Sequence, residues 1–244
     1  MASFKSTEPK NITDLPELSS GKIHVWKAST NLNAINSEIY INALRAEEKS
    51  RAGFFKSPKA ADAYIASQGA LRMLLSAYLN IEPDKVNIGR QKKGKPFSKD
   101  DPSLFFNISN SGGQIVLAFT RDGEMGIDIE RIRELPDLDE LIMKNFTTSE
   151  IEFISAKPNK RLKRFFRFWT VKEAYLKAIG EGMRLKPENV EFFMNNEYIR
   201  LLSVKGVPEM MDWYFSEFEF LSDYVGTITY SNANTEIDYL ELNL

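Results

Sequence analysis

Two rhythms of hydrophobic and polar positions run along the chain. "KIHVWKA" (22–28) alternates as a strand does, whereas "NSEIYINALRAEEKSRAGFF" (36–55) takes helical spacing through Ile39 and Leu44. "ADAYIASQGALRMLLSAYL" (61–79) is a proline-free helix pattern. "DKVNIGRQKKGKPF" (84–97) predicts a short strand and then a loop punctuated by Gly94 and Pro96. "LFFNIS" and "QIVLAFT" predict two strands around a turn of serine, asparagine and glycine. The pattern begins afresh near 120–125. "MGIDIERI" (125–132) predicts a strand and "LDELIMKNF" a helix, and "TTSEIEFISA" (147–156) predicts a helix opening on a hydroxyl cap ahead of an acid. "KRLKRFFRFWTVKEAYLKAIGEG" (160–182) gives the strongest helix pattern, closing at Gly180 and Gly182. From Val190 on, "VEFFM", "YIRLLSV", "WYFSEFEFL", "YVGTITY" and "IDYLELNL" alternate as strands. The predicted class is α+β, with a polar extension over 1–21, one subdomain over 22–122 and another over 123–244.

Composition narrows the chemistry more than the fold. The 244 residues are 43% hydrophobic and 27% charged, ordinary for a globular chain of one large or two modest domains. The formal net charge of −2 gives no global basic field for nucleic acid, so an anion site must be local. The absence of cysteine excludes disulfides, thiolate zinc sites and cysteine nucleophiles. No run of about 18 apolar residues predicts a membrane span, and the first residues lack the apolar core of a signal peptide. A cytoplasmic location is expected. The one histidine, His24, sits in an alternating apolar stretch and reads as structural. Chemistry must therefore rest on carboxylates, lysines, hydroxyls and backbone.

Four stretches could carry it. In "GIDIE" the period of two puts Asp128 and Glu130 on one strand face. That pair is either solvated at a strand edge or neutralised by a hard cation such as Mg²⁺. In "FWTVKEAYLKAIG" the apolar stripe is Phe168, Val171, Tyr175, Ala178 and Ile179, with Glu173 and Lys177 nearly opposite. Those two are either an exposed pair worth about 0.3–0.5 kcal/mol, or a third carboxylate and a phosphate donor. In "KKGKPF" a tight loop presents Lys95, to solvent or to a phosphate. "LFFNISNSGG" (104–113) either ends a strand in a turn or cradles a ligand with hydroxyl, amide and backbone groups.

Taken in order, "GKPF", "FNISNSGG", "MGIDIE" and "FWTVKEAYLKAIG" resemble the 4′-phosphopantetheinyl transferase superfamily, in its long two-subdomain form, over roughly residues 22 to 230. The resemblance implies two similar α/β subdomains related by a pseudo-two-fold, each a small, mostly antiparallel sheet packed with helices. It implies transfer of phosphopantetheine from coenzyme A to a serine of a carrier protein. Asp128, Glu130 and Glu173 would bind Mg²⁺, and Lys177, Lys95 and Ser109 would contact phosphates. Glu150 falls where the family often keeps an acid, and "LRAEEKSRAGFF" suggests Arg51 and Lys49 as nucleotide contacts. A monomer is expected, because two subdomains can enclose one site.

Phosphoryl-type transfer depends on positioning and charge neutralisation. The nucleophile belongs to the carrier, so this chain need supply only a base, with Glu173, Glu150 and a metal-bound water as candidates. The sequence departs from the family pattern at Asn110, where a histidine is usual; a neutral amide in its place costs about 1–2 kcal/mol against a pyrophosphate. The usual arginine near Ala63 is missing, and Glu48 stands where a lysine is found in the best-known pattern. These departures leave open a non-catalytic relative that grips coenzyme A or carriers. A third possibility is an unrelated Mg²⁺-dependent phosphohydrolase. The cations of "KPNKRLKRFFRF" are either a solvated helix start or a docking patch for an acidic carrier protein.

Overall fold

The computed structural model of the chain describes residues 2–4, 10–12, 15–32, 34–195, 198–207, 211–219 and 221–243. Two short strands, β1 (Ala2–Ser3) and β2 (Lys10–Asn11), precede β3 (Lys22–Ser29). Helices α1 (Ala34–Ala43), α2 (Ala46–Gly53) and α3 (Pro58–Leu79) follow, then the small hairpin β4 (Ile88–Arg90) and β5 (Pro96–Ser98). The first half closes with β6 (Phe105–Ser111) and β7 (Gln114–Thr120). The second opens with β8 (Met125–Arg131), then α4 (Leu138–Asn145), α5 (Thr148–Ser155) and α6 (Arg161–Ala178). It continues through β9 (Val190–Met194), β10 (Ile199–Val204), β11 (Tyr214–Glu219), β12 (Tyr224–Tyr230) and β13 (Glu236–Asn243).

The halves share a topology. In the first, β3, α3, β6 and β7 build an antiparallel sheet in the order β3-β7-β6; in the second, β8, α6, β11 and β12 build one in the order β8-β12-β11. Read in chain order, both are β-α-β-β units with the third strand in the middle. The class is α+β, as the alternation of periods predicts.

Strand pairing does not respect a division into 22–122 and 123–244. The last strand, β13, crosses back to lie parallel beside β3, from Glu236 opposite Lys22 to Glu241 opposite Lys27, and carries β2 on its far side. At the other end of the chain β1 runs parallel to β11. Another difference lies at 36–55, where one helical pattern forms two helices. The break falls at Arg45, whose backbone N–H donates to Glu48 Oε2 at 3.0 Å and starts α2. Its guanidinium meanwhile donates to the Asp84 and Lys85 carbonyls.

Three apolar clusters follow from strand alternation. Trp26, Ile115, Leu117 and Phe119 face α3, packing on Ala66, Ala70, Leu74 and Leu75. Ile23, Val25, Val116 and Ala118, from the other face of that sheet, meet Met125, Ile127, Ile129 and Ile228 of the second sheet. Phe168, Val171 and Tyr175 of α6 pack with Phe192 and Val225. His24 lies wholly within this packing. Tyr78 Oη is 2.8 Å from both Trp26 Nε1 and His24 Nδ1. The indole can only donate, so the hydroxyl accepts from it and bonds the imidazole as donor or acceptor according to the ring's tautomer. Burial pushes the His24 pKa down to about 4, which agrees with a structural, neutral ring.

Two glycines bring the halves together where the site lies. A Cβ at Gly126 would stand 2.0 Å from the Ala174 carbonyl oxygen, so α6 can lie on β8 only because residue 126 has no side chain. At the β6–β7 turn, Gly112 adopts φ +59°. Its carbonyl accepts from Tyr224 Oη of β12 at 2.6 Å.

Candidate active site

The site forms where β8 passes between β6 and α6. Met125, Ile127 and Ile129 take the face of β8 that enters the core between the sheets. Gly126, Asp128 and Glu130 therefore take the other. On α6, Glu173 and Lys177 are one turn apart and both half-buried. Lys177 Nζ donates to Asp128 Oδ1 at 2.7 Å and to the Ile127 carbonyl at 3.1 Å. The Lys177 partner is thus a strand carboxylate rather than Glu173, and the exposed helix pair is not what forms. Ser109 Oγ donates to the same Asp128 oxygen at 2.8 Å, and Ser111 Oγ donates to Glu130 Oε2 at 2.6 Å.

Two carboxylate oxygens in this cluster are buried with no hydrogen-bond partner, Asp128 Oδ2 and Glu173 Oε1. Burial pushes the Glu173 pKa up to about 7; the charges of Asp128 and Glu130 add to the rise and Lys177 opposes it. Glu130 is also raised, first by burial, with the Ser111 hydrogen bond opposing and the Asp128 charge adding. Asp128 and Glu130 are thus near enough to Glu173 for their charges to act on it. Among the described residues no three acidic or histidine side chains stand close enough together to form a finished metal cage. The donor set nonetheless suits a hard divalent cation: all oxygen, three carboxylates against Lys177 and, 3.5 Å from Glu130 Oε2, Arg133, with two oxygens unpartnered.

The other predicted site residues divide. Lys95 was expected on a phosphate, yet its side chain is nearly buried and its ammonium turns inward. It donates to the carbonyls of Met125 at 3.1 Å and Ala178 at 2.7 Å and pairs with Glu124. It ties the end of α6 to the start of β8. Glu150 does not join the cluster either. It is wholly buried against Lys172, with Oε2 2.7 Å from Nζ. It also accepts from Thr147 N at 2.8 Å and Phe192 N at 2.9 Å. The structure thus places Glu150, a candidate base, in a buried pair with Lys172 and away from the carboxylate cluster.

Asn110 points to the opposite face of β6 from Ser109, as the period of two requires, and approaches Ser67 of α3 at 3.4 Å. Arg51 lies on that side too, over the Tyr64 ring at 5.5 Å, while Lys49 is exposed beside Arg45 and Lys85. Neither makes a contact with the carboxylate cluster in the described structure. Glu48 pairs with the buried Arg72, so its departure from a lysine serves the first half's own packing. Of the basic stretch, Arg161 pairs with Asp139, Lys163 with Glu219 and Arg167 with Glu217. Arg164 donates to the Phe153 carbonyl. Most of that charge is already answered within the chain.

Sequence reasoning missed Asn107 and Ser111 as parts of the site. The signal was present: the period that places Ser109 toward Asp128 places residues 107 and 111 on the same face. A cavity of about 270 Å³ adjoins the cluster, lined by Lys93, Gly94, Asn107, Ile108, Lys177 and Gly180 among others.

Comparison with known proteins adds to this geometry. Residues 124–229 match a family model described as the 4′-phosphopantetheinyl transferase superfamily, and residues 26–121 match one described as 4′-phosphopantetheinyl transferase, N-terminal. The chain is 33% identical over 188 residues to the 4′-phosphopantetheinyl transferase HetI of Nostoc sp., covering 75% of this chain and 77% of that one. It is 32% identical over 164 residues to the L-aminoadipate-semialdehyde dehydrogenase-phosphopantetheinyl transferase of Rattus norvegicus, covering 62% of this chain and 53% of that one. The alignment thus spans about half the length of that vertebrate relative. A solved holo-(acyl-carrier-protein) synthase from Bacillus anthracis, in complex with CoA (3′,5′-ADP), is similar at a TM-score of 0.37 and 18% identity, covering 43% of this chain and 92% of that one.

Proposed function

We propose that this chain, which belongs to the 4′-phosphopantetheinyl transferase superfamily, moves the phosphopantetheine group of coenzyme A onto a serine of an apo carrier protein and releases 3′,5′-ADP. The observation that carries the reading is the pair of unpartnered buried oxygens on Asp128 and Glu173, next to Lys177, which itself lines the cavity. Acidic groups held this way suit a cation or a proton, and phosphoryl transfer needs both. Asp128, Glu130 and Glu173 would hold Mg²⁺, which when bound supplies charge neutralisation across the diphosphate.

The chain's own residues do the rest. Lys177, at the cavity wall, offers a positive charge to a phosphate oxygen and keeps Asp128 in place. Arg51 and Asn110, on the α3 side of β6, extend the nucleotide path away from the reacting phosphorus. The carrier serine oxygen bonds to the phosphorus bearing the pantetheine arm, and the bond from that phosphorus to the 3′,5′-ADP oxygen breaks. The departing oxygen keeps the electron pair. With Glu150 buried against Lys172, Glu173 or a water held beside it accepts the serine proton.

The same reading expects a monomer, since one chain supplies both walls of the cleft, and an acidic carrier met in the cytoplasm. No described helix is long and apolar enough to cross a membrane. Incubation with coenzyme A, Mg²⁺ and a panel of apo carrier proteins, followed by weighing the carriers, tests the proposal. A gain of one phosphopantetheine group on a carrier is the expected result. Unchanged carriers with intact coenzyme A would instead favour the non-catalytic binder that Asn110 keeps open.

A further inference from the structure

Strand β6 ends the five-stranded sheet and β8 ends the four-stranded sheet; no backbone pairing joins them. Their side chains nevertheless meet in step. Asn107 Oδ1 accepts from the Ile127 backbone N–H at 3.0 Å, and Ser109 Oγ donates to Asp128 Oδ1 at 2.8 Å. Ser111 Oγ donates to Glu130 Oε2 at 2.6 Å while accepting from the Arg131 N–H at 3.2 Å. The positions advance together along both strands, at 107, 109 and 111 on one and from 127 to 131 on the other. Asn107 and Ile127 are buried, so water cannot replace that contact.

We propose that Asn107 and Ser111 are positioning residues for the carboxylates of β8, and that the alternate side chains of β6 stand in for a neighbouring strand. The edge N–H groups of β8 would otherwise lack partners on that side. By binding those of Ile127 and Arg131, Asn107 and Ser111 brace the edge strand, whose register its pairing with β12 sets, with Asp128 and Glu130 turned toward Glu173. Short polar residues suit this spacing because they reach across a gap that backbone groups do not span. Ser111 has a double hold: the backbone N–H fixes its oxygen, and its own proton then fixes which oxygen of Glu130 stays free. What the oriented carboxylates are used for rests on the transferase reading; the ladder itself does not.

The test separates the two. In the metal-free chain, amide exchange followed by NMR should speed up about tenfold or more at Ile127 in Asn107→Leu, relative to the β8 amides paired with β12. Asn107→Asp, which keeps the acceptor oxygen, should restore protection. Ser111→Ala should raise the Mg²⁺ concentration for half-maximal transfer by about tenfold, with the carrier KM unchanged, and Ser111→Thr should stay near wild type. Unaltered exchange at Ile127 in Asn107→Leu, or a Ser111→Ala Mg²⁺ requirement equal to wild type, overturns the proposal. If the wild-type chain transfers nothing, the transferase reading fails and the exchange of Ile127 alone decides the ladder.

Discussion

Two of the lysines of helix α6, Lys172 and Lys177, stand five residues apart, and each reaches a carboxylate on another element. Lys172 is wholly buried, and its ammonium is surrounded by Glu150 and the carbonyls of Asn145, Pro187 and Val190. Glu150 in turn accepts from two backbone amides. Lys177 is partly exposed and shares Asp128 with Ser109, yet one oxygen of Asp128 and one of Glu173 remain unpartnered. Both clusters have the same kinds of group, but Lys172 and Glu150 lie deeper than Lys177 and Asp128. They differ also in completeness. A network with every donor and acceptor matched fixes α5, α6 and β9 against one another and has no capacity left for a ligand. A network with unmatched acceptors costs stability, and that cost is retained where a cation or proton is to be bound.

The comparison breaks first at Lys172. Lys172→Met leaves Glu150 buried without its cation and should lower the unfolding free energy by ~3–5 kcal/mol, measured by urea denaturation. Asp128→Asn should behave in the opposite way. It removes charge from an over-acidic cluster, so the melting temperature should hold or rise. Transfer to an apo carrier should fall by about 10²–10³-fold, the scale on which losing one electrostatic stabiliser acts.

A pH series sharpens the contrast without changing a partner. The Glu173 pKa is raised in the folded state to about 7 from its ordinary 4.5. The folded chain therefore binds more protons than the unfolded chain between those values, and the Glu173 contribution to stability falls as pH rises through that window. Melting temperatures taken in chelator should show this decline in the wild type and a flatter profile in Glu173→Gln. The smallest effect is expected at the periphery. Asn110→Ala should weaken coenzyme A binding by up to about tenfold and Asn110→His should match or exceed wild type, a difference of about 1–2 kcal/mol. Equal affinities in the three proteins would remove Asn110 from the nucleotide path.

Local signals carried much of the architecture into view. Alternation in "QIVLAFT" and "MGIDIERI" marks β7 and β8 to within a residue, whereas "LFFNIS" stops two residues short of the end of β6, since Asn110 and Ser111, read as turn, extend the strand. The long proline-free pattern marks α3, and Gly180 marks the end of α6. What stayed hidden depends on pairing between distant residues. No local pattern says that β13 returns to β3, because a strand with one buried face reads alike whichever sheet it joins. The helix break at Arg45 rests on a single Glu48 carboxylate capping a backbone N–H.

The site shows the same division. Strand period placed Asp128 with Glu130, and helix period placed Glu173 with Lys177. Which way each long side chain turns was not legible. Lys95 turns inward to carbonyls that only the packed fold supplies, and Glu150 caps its own helix while pairing with Lys172. Family likeness predicted a phosphate contact for the first and a place near the site for the second.

On the proposed reading the unpartnered oxygens of Asp128 and Glu173 serve a divalent cation. Calorimetric titration of Mg²⁺ into the coenzyme A-saturated chain at pH 7 tests it directly, with Glu173→Gln and Lys172→Arg run alongside. A single Mg²⁺ site in the wild type, lost or weakened at least about tenfold in Glu173→Gln and kept in whatever fraction of Lys172→Arg is folded, is the expected result. No Mg²⁺ binding by the folded wild type, or equal binding by wild type and Glu173→Gln, would contradict it.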